Sequence, residues 1–428
     1  MRATVFVLFL LAASPRAQTA IPLEEALAVA EEQSLAVLRA DADVLAQSAS
    51  LQGVADGRWP SLSFRAGGGQ RYGLAFDQTS GALTQATVES MNFGVSAQYV
   101  VFDGFERRAE QRAAEAGLRE AELDRARTRQ RARVAVLDGY LAVARADAAR
   151  EVAEETVRVE TDLLEQIEVR VGYGDRPPSE VAQQQERLAA ARGSVLAAER
   201  DRALAHARLI RLLGLDPAET YAFPSPSPAE TGPVPALDAL VQRALAQRPD
   251  LQAAETAIEA AEANRQSARA SRLPQVALGG YLGTSYTSAA TSGFPGQIGD
   301  NRTGSLSLNV SLPILDRGVT RQRVRQAEAQ AHALRAVETD TRRAIMLEVQ
   351  EHTIRLEALA AQIGLAEVRV ESAMAARTAE RARYDGGETT LQAVSVLQAR
   401  LDEARTDLAL LRVQVQFERR LLALSLGE

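Results

Sequence analysis

Polar and apolar residues alternate without interruption in Ser305-Leu306-Ser307-Leu308-Asn309-Val310-Ser311-Leu312. A period of two residues is typical of a β-strand, because successive side chains point to opposite faces of a sheet. The sequence therefore predicts a strand with one apolar and one polar face. The apolar face consists of Leu306, Leu308, Val310 and Leu312.

Three further segments carry similar patterns and complete two predicted strand pairs, at 59–102 and 273–315. The alternation is clear at both strands of the first pair and weaker at Gln275-Val276-Ala277-Leu278. Polar, glycine-containing segments at 77–92 and 287–303 are predicted to be the loops within each pair. The first pair adds these apolar positions to the predicted face: Leu62, Phe64, Val95, Ala97 and Tyr99.

The strand pairs belong to a tandem duplication with an offset of 213 or 214 residues. The segment from Leu23 to Leu27, for example, corresponds to the segment from Leu237 to Val241. We therefore divide the chain into a first repeat at 18–215 and a second at 236–428. The connector at 216–235 contains six prolines, which exclude a regular helix there.

Each repeat is predicted to begin with a helix and to end with a helical hairpin, at 104–214 in the first repeat and 318–427 in the second. The opening helix of the first repeat is expected from Leu23 to Asp56. The first arm of its hairpin contains no helix breaker from Gly104 to Gly172, a length on the order of 100 Å at 1.5 Å per residue. The matching arm of the second repeat has the spacing of a coiled-coil seam. The seam positions are Ile345, Val349, His352, Leu356, Leu359 and Ile363.

Composition excludes several classes of protein. The 428 residues include no cysteine, so disulfide scaffolds, cysteine-ligated metals and thiol nucleophiles are excluded. The net charge is −7, and no basic block with interleaved aromatic residues suggests a nucleic-acid partner. The histidines, His206, His332 and His352, are far apart in predicted helices, so we predict no enzyme, cofactor or metal site. We interpret His352 as a packed or hydrogen-bonded core residue.

Residues 1–17 are predicted to be a secretory signal peptide. Arg2 precedes a short apolar run from Val5 to Ala13, and small residues follow near Ala17. No later segment has about 18 consecutive apolar residues, so no transmembrane helix is expected. Entry into a membrane would therefore require β-strands.

The apolar strand face fits either a soluble sheet packed on one side or a barrel with lipid outside and water inside. The predicted helical hairpins use their own seams to pack, which leaves lipid as the favoured cover for this face. Four strands cannot close a barrel, and open edges in lipid would leave backbone groups unpaired. The chain must therefore oligomerise, and either two chains with eight strands or three with twelve satisfy this requirement.

Several motifs in a fixed order resemble the TolC-like outer-membrane efflux and secretion channels, over essentially the whole mature chain. They are Leu23-Glu24-Glu25-Ala26-Leu27, Arg58-Trp59-Pro60-Ser61-Leu62, Val101-Phe102-Asp103-Gly104, Gly139-Tyr140-Leu141, Leu212-Leu213-Gly214-Leu215, Gln247-Arg248-Pro249-Asp250-Leu251, Leu312-Pro313-Ile314-Leu315-Asp316 and Arg383-Tyr384-Asp385-Gly386-Gly387. The resemblance implies a mainly α fold with β: long antiparallel helical hairpins form an α-barrel tunnel, and four strands per chain join a twelve-stranded β-barrel in a homotrimer.

The same resemblance implies a location in the outer membrane, with extension into the periplasm and the connector 216–235 in an equatorial region. The protein would be the passive exit duct of a tripartite efflux or type I secretion system. Its partners would be a periplasmic adaptor (membrane fusion) protein, a proton-driven or ABC inner-membrane pump, and outer-membrane lipid.

The turns between the hairpin arms are predicted to form the periplasmic tip. Gly174 and Gly387 correspond in the two repeats, and glycine at a helix C-terminus readily supplies a positive φ. The resemblance implies adaptor contact at Gly172, Gly174, Asp175, Gly386 and Gly387. Family members close the tip by hydrogen bonds and ion pairs between hairpins, which by position implies a gate at Glu180 and Tyr384.

Three tip positions depart from the family pattern. Thr389 stands where a well-known member has a gate-locking arginine, and Ala393 and Val396 stand where it has constricting aspartates. The expected closed state is therefore less tightly locked by charge.

A non-pore periplasmic or surface coiled-coil scaffold is the alternative from a different class of protein. Such a scaffold has no need for strands of period two between its helices. Within the channel class, the sequence does not separate efflux of small molecules from protein secretion.

Overall fold

The computed structural model describes residues 19–77, 81–224, 235–290 and 292–427. The predicted signal peptide at 1–17 lies outside the described residues, as does the part of the predicted connector at 225–234.

Helices and strands follow a similar order in the two halves of the described chain. The first half contains β1 (Thr19–Ala20), α1 (Leu23–Gln33), α2 (Leu35–Asp56), β2 (Ser61–Asp77), β3 (Ala82–Phe102), α3 (Glu106–Gly172), α4 (Pro178–Leu213) and β4 (Tyr221–Ala222). The second half contains α5 (Leu237–Gln247), α6 (Pro249–Ala270), β5 (Gln275–Thr287), α7 (Phe294–Asp300), β6 (Thr303–Ser311), α8 (Val319–Asp385) and α9 (Leu391–Ser425). The predicted fold class, mainly α with β, is confirmed.

The prediction of one continuous helix from Leu23 to Asp56 is wrong, because the helix is interrupted at Ser34 and forms α1 and α2. The backbone of Ser34 is extended, with ψ 136°, and its N–H donates to the Ala30 carbonyl. Its hydroxyl accepts a hydrogen bond of 3.3 Å from the Val37 N–H. Serine thus ends α1 and caps α2, since its side chain offers the backbone an alternative to helical hydrogen bonding.

The four long strands form one antiparallel sheet in the order β2-β3-β5-β6. The prediction of a loop at 77–92 is wrong for most of its length. β3 begins at Ala82, which pairs with Asp77 at the end of β2, and the pairing continues back along β2. Polar residues interrupt the alternation at the start of β3, so this part of the strand is identified only by its pairing with β2. The segment expected to be a loop at 287–303 contains the short helix α7, whose buried Gln297 bonds the backbone of Thr287 in both directions at 2.9 Å.

The strand register determines which side chains share a face. Leu62 pairs with Ala97, Phe64 with Val95, Tyr99 with Leu278, Leu278 with Leu308, Gly280 with Leu306 and Val276 with Val310. Because paired residues of antiparallel strands point to the same side, these residues form one continuous face. We call it the apolar sheet face. Leu312 follows the last residue of β6 and lies just outside the strand.

The chain packs as two units. The first unit comprises the described parts of Met1–Asp41, Asp124–Leu251 and Thr341–Glu428. Its largest core surrounds Tyr140, whose ring meets Phe223 edge-on at 5.7 Å and whose hydroxyl donates to the Ile21 carbonyl.

The α8 seam forms a second core of this unit. Ile345, Val349 and Leu356 are buried against residues of α5 and α9. His352 lies on the same seam, and its Nδ1 is 2.7 Å from Glu418 Oε1. Its interpretation as a hydrogen-bonded core histidine is therefore confirmed.

The second unit comprises Ala42–Leu123 and Gln252–Asp340 and contains the four-stranded sheet with the adjoining helix segments. Ion pairs link α6 to its neighbours: Arg119 of α3 lies 2.7 Å from Glu259, and Arg335 of α8 lies 2.6 Å from Glu262. Such exposed pairs contribute little stability, about 1 kcal/mol at most. They show that α6 lies beside α3 and α8.

Among the residues that the structure describes, no helix is both long enough and apolar enough to cross a membrane.

Candidate functional site

The two hairpin turns at the tip have the same backbone geometry. In the first turn, the Gly174 N–H donates to the Val171 carbonyl and the Asp175 N–H to the Arg170 carbonyl, at 3.0 and 2.9 Å. In the second, Gly387 and Glu388 make the equivalent bonds, to Tyr384 and Arg383. Both glycines have φ 79°. These are Schellman motifs, in which glycine adopts the left-handed conformation and satisfies the last helix carbonyls.

The other residues assigned to the tip lie at the surface beside these turns. Gly172 is the last residue of α3, and Asp175 and Gly386 are exposed within the turns. Tyr173 is 81% exposed, which is high for an aromatic side chain. The tip thus offers protruding backbone and one free aromatic ring.

Glu180 and Tyr384 meet behind the turns. The Tyr384 hydroxyl donates a hydrogen bond of 2.6 Å to Glu180 Oε2, which links α8 to α4 across the two repeats. Tyr384 is only 1% exposed and packs with Leu163, Ile167 and Leu391. Burial, together with the neighbouring Glu180 carboxylate, raises the pKa of Tyr384 to about 12. The phenol is therefore neutral at physiological pH and acts as a donor to a charged acceptor.

Arginines surround the Tyr384 ring, a feature that the sequence reasoning missed. The Arg176 guanidinium stacks 4.0 Å from the ring centroid, and those of Arg381 and Arg170 lie at 5.7 and 5.9 Å. Arg176 also donates to the Tyr384 carbonyl and lies 3.9 Å from Glu180. Cations over an aromatic face are attracted by its quadrupole. The only sequence signal was the position of Arg176 inside the tip turn.

Carboxylates balance these arginines. Asp385 lies 2.9 Å from Arg170 and 3.4 Å from Arg381. Thr389 donates a bond of 2.6 Å to Glu380, which also pairs with Arg383 at 3.0 Å. The tip is thus a network of hydrogen bonds and ion pairs between two hairpins of one chain. Such a network holds the helices together.

Much of the apolar sheet face is exposed in the part of the chain that the structure describes. Leu306 is 79% exposed, Leu62 74% and Phe64 67%. The sheet is also open, since among the described residues the terminal strands β2 and β6 each pair with only one long strand. Exposed apolar surface and unpaired edges on this scale indicate that the isolated chain lacks a cover for this face and pairing partners for β2 and β6.

The opposite face is polar and carries serines, Gln98 and Asn309. One aromatic residue, Tyr281, lies on it. Its ring lies close to Gly94, where an added Cβ would be 2.6 Å from a ring carbon. Glycine is therefore required at that position for the ring to approach the backbone.

Comparison with known proteins identifies a family and several relatives that resemble this chain. The sequence fits the family model described as outer membrane efflux protein over residues 26–215 and 240–428. A relative from Pseudomonas putida, named pyoverdine export outer membrane protein OpmQ, is 29% identical over 350 residues, which cover 79% of this chain and 72% of that protein.

Solved structures share the fold. VceC, an outer membrane protein of Vibrio cholerae, has a TM-score of 0.80 at 22% identity and covers 95% of this chain and 96% of its own. The CmeC outer membrane channel of Campylobacter jejuni has a TM-score of 0.82 at 17% identity, over 95% of this chain and 85% of its own.

The family match extends over both repeats, and the Campylobacter jejuni structure is described as an outer membrane channel. The resemblance and the outer-membrane location expected from the sequence are confirmed, and the coiled-coil scaffold is not supported. The chain therefore belongs to the outer membrane efflux protein family and is an outer-membrane exit duct of efflux systems that extends into the periplasm.

Proposed function

We propose that three copies of this chain form the duct, and that the helical tips dock to a periplasmic adaptor and an inner-membrane pump. The observation that carries the proposal is the open sheet with an exposed apolar face. In lipid, each unpaired backbone group costs several kcal/mol, so the edges of β2 and β6 require partners. A second and a third copy supply them, and twelve strands are the number that the family resemblance implies.

In this assembly the apolar sheet face contacts lipid and the polar face lines the bore. Leu62, Phe64, Val95 and their partners on the apolar face point outward, whereas Ser63 and Asn309 point inward. The alternation of lipid-facing and lumen-facing residues is the pattern of outer-membrane barrels. Cargo passes through without chemical change, and the pump supplies the energy.

The tip is proposed to be the gate. Tyr384 and Glu180, with the arginines around them, hold the hairpin ends of one chain together. Opening requires these contacts to exchange for others, and the exposed turns at Gly174 and Gly387 are the surface on which an adaptor would act. A docking partner shifts the gate only if it binds the open arrangement more tightly.

Cysteine crosslinking tests the trimer directly, because the natural chain contains no cysteine. Ser63→Cys on β2 and Asn309→Cys on β6 place one thiol on each outer strand, and a flexible bis-maleimide bridges them in isolated outer membranes. We expect a ladder that ends at three chains for the double variant and no ladder for either single variant. A ladder that ends at two chains, or none, overturns the trimer.

The cargo is proposed to be a small organic molecule. The name of the Pseudomonas putida relative refers to pyoverdine export, which supports this class over secreted proteins. Deletion of the gene should raise the cellular accumulation of a fluorescent organic dye and leave the amount of protein in the medium unchanged. The opposite pattern assigns the duct to protein secretion.

We further propose that residues 1–17 are removed on export, and that 18–215 and 236–428 are two copies of one unit joined at 216–235. The equal lengths of α3 and α8, 67 residues each, support the duplication. Intact-mass spectrometry of the protein purified from outer membranes measures the mature N-terminus. A mass that includes Arg2 contradicts the cleavage.

A further inference from the structure

A cavity of about 570 Å³ lies where the sheet meets the helices, between the start of α3 and the end of α6. Four of its ten lining residues are arginines, and none of the ten is acidic. These arginines are Arg108, Arg112, Arg269 and Arg272. An open cavity with this composition attracts anions.

Most of this positive charge is not compensated by the protein. Arg269 pairs with Glu328 at 2.8 Å, and Arg112 donates to the side-chain carbonyl of Gln266 at 3.3 Å. Arg108 and Arg272 form no ion pair with any residue that the structure describes. Guanidinium groups match the geometry of phosphate oxygens, to which they donate two parallel hydrogen bonds.

The same cavity has an apolar part. Phe105 and Leu273 line it and are 61% and 44% exposed. Gly104 forms the closest approach of the two walls, since a Cβ there would lie 2.7 Å from Leu273 Cβ. The cavity thus combines a positively charged side with an exposed apolar side, which suits an amphipathic anion.

Phe105 is held in a strained backbone conformation. Its φ is 70°, a region that residues with a side chain rarely adopt. The equivalent position in the second repeat, 213 residues later, is Gly318, with φ 84°. The turn therefore needs a positive φ in both repeats but no side chain, so the Phe105 ring is not required for the backbone geometry.

Phe105 links the lining of the cavity to the apolar sheet face. The Phe105 ring lies edge-on to Phe102 at 5.4 Å. Phe102 pairs with Val276, and Val276 pairs with Val310 on the apolar sheet face. The arginines therefore lie at the end of the proposed lipid-facing surface, on the side of the helices.

We propose that this cavity binds the phosphate headgroup of an anionic glycerophospholipid, with the acyl chains against Phe105 and the apolar sheet face. The inference rests on the proposed lipid contact of that face. Because the helices extend into the periplasm, the lipid belongs to the periplasmic leaflet of the outer membrane. Basic pockets at membrane surfaces bind anionic headgroups in this way.

Native mass spectrometry of the full chain in detergent tests the site, with dioleoylphosphatidylglycerol, dioleoylphosphatidylcholine and inorganic phosphate as probes. We expect phosphatidylglycerol to bind about tenfold or more tightly than phosphatidylcholine, and the double variant Arg108→Gln/Arg272→Gln to lose this preference. The control Arg192→Gln/Arg208→Gln makes the same charge change on α4 and should retain it. Equal binding of the two lipids, or a preference that survives in the double variant, overturns the proposal.

Phe105→Gly separates a ligand contact from a structural role. It matches Gly318 and relieves the strain, so the melting temperature should stay the same or rise, whereas affinity for phosphatidylglycerol should fall severalfold. If inorganic phosphate displaces the lipid at equal concentration and Phe105→Gly has no effect, the cavity is a free-phosphate site and the lipid assignment is wrong.

Crosslinking of each sample keeps this test independent of the proposed assembly. Failure to form a trimer contradicts the proposed function. A trimer without a preference for phosphatidylglycerol contradicts only the lipid site.

Discussion

At the tip, Tyr384 is buried, its hydroxyl bonds Glu180, and Arg176 covers its ring, all within one chain. In the sheet, Leu306 and Leu62 are mostly exposed and two strand edges have no partner among the described residues. The contacts of the tip thus form within one chain, whereas the apolar sheet lacks a cover and edge partners, which we propose are supplied by lipid and further copies. In the proposed assembly, the membrane and the oligomer stabilise the sheet, whereas contacts between the two repeats stabilise the tip.

A charge on the apolar sheet face should have the largest effect. Leu308→Arg places a guanidinium where we propose lipid, at a cost of about 2–4 kcal/mol near the bilayer midplane. The control Asn309→Arg changes the neighbouring residue, which lies on the polar face. We expect assembled protein in isolated outer membranes to fall sharply for Leu308→Arg and little for Asn309→Arg. Equal losses would show that the two faces have similar surroundings.

Removal of one hydroxyl at the tip should have the next largest effect. Tyr384→Phe leaves the half-buried Glu180 carboxylate without its donor, which costs about 1–3 kcal/mol. Limited proteolysis at the hairpin turns should become faster, and channels in planar bilayers should open more often. Tyr173→Phe, at an exposed tyrosine of the same tip, is the matched control and should leave both measurements unchanged.

Glycine at the turn should matter only where φ is positive. Gly387→Ala forces a Cβ into the left-handed conformation, at a cost of about 1–2 kcal/mol. Gly386→Ala adds a Cβ that meets backbone atoms only at 3.6 Å, an ordinary contact, so its effect should be small. The melting temperature of the detergent-solubilised protein measures the difference. A larger loss for Gly386→Ala would contradict the Schellman geometry.

The smallest of these effects should be that of alkaline pH on the tip. Because the pKa of Tyr384 is raised to about 12 in the folded protein, the neutral phenol stabilises the fold below the ordinary tyrosine pKa of about 10. This contribution is lost as the pH rises from about 10 to 12. Proteolysis of the turns should therefore accelerate over that range more in the natural protein than in Tyr384→Phe. If the proteolysis rate depends on pH in the same way in both proteins, titration of Tyr384 is excluded as the cause.

The interior of the tip illustrates what sequence reasoning could not reach. The resemblance assigned Glu180 and Tyr384 to one gate, and the structure places them in contact. The resemblance did not predict the positions of Arg170 and Arg381. Charged residues on a long helix have the same local sequence pattern whether they face water or a distant aromatic ring. The break at Ser34 was missed for a similar reason, since serine caps a helix only where the backbone has already turned.

Local periodicity by itself determined the helices, the strands and the apolar face that Leu306, Leu308 and Val310 share. Side-chain direction follows the backbone repeat of 2.0 or 3.6 residues, so no distant contact is needed to infer it. Only the tertiary structure decided the length of β3, the arginines around Tyr384 and the cavity beside Phe105. The arginines and the cavity depend on residues far apart in the chain, as the separation of 208 positions between Arg176 and Tyr384 shows. Their distance in space is determined by packing, which the sequence pattern does not record.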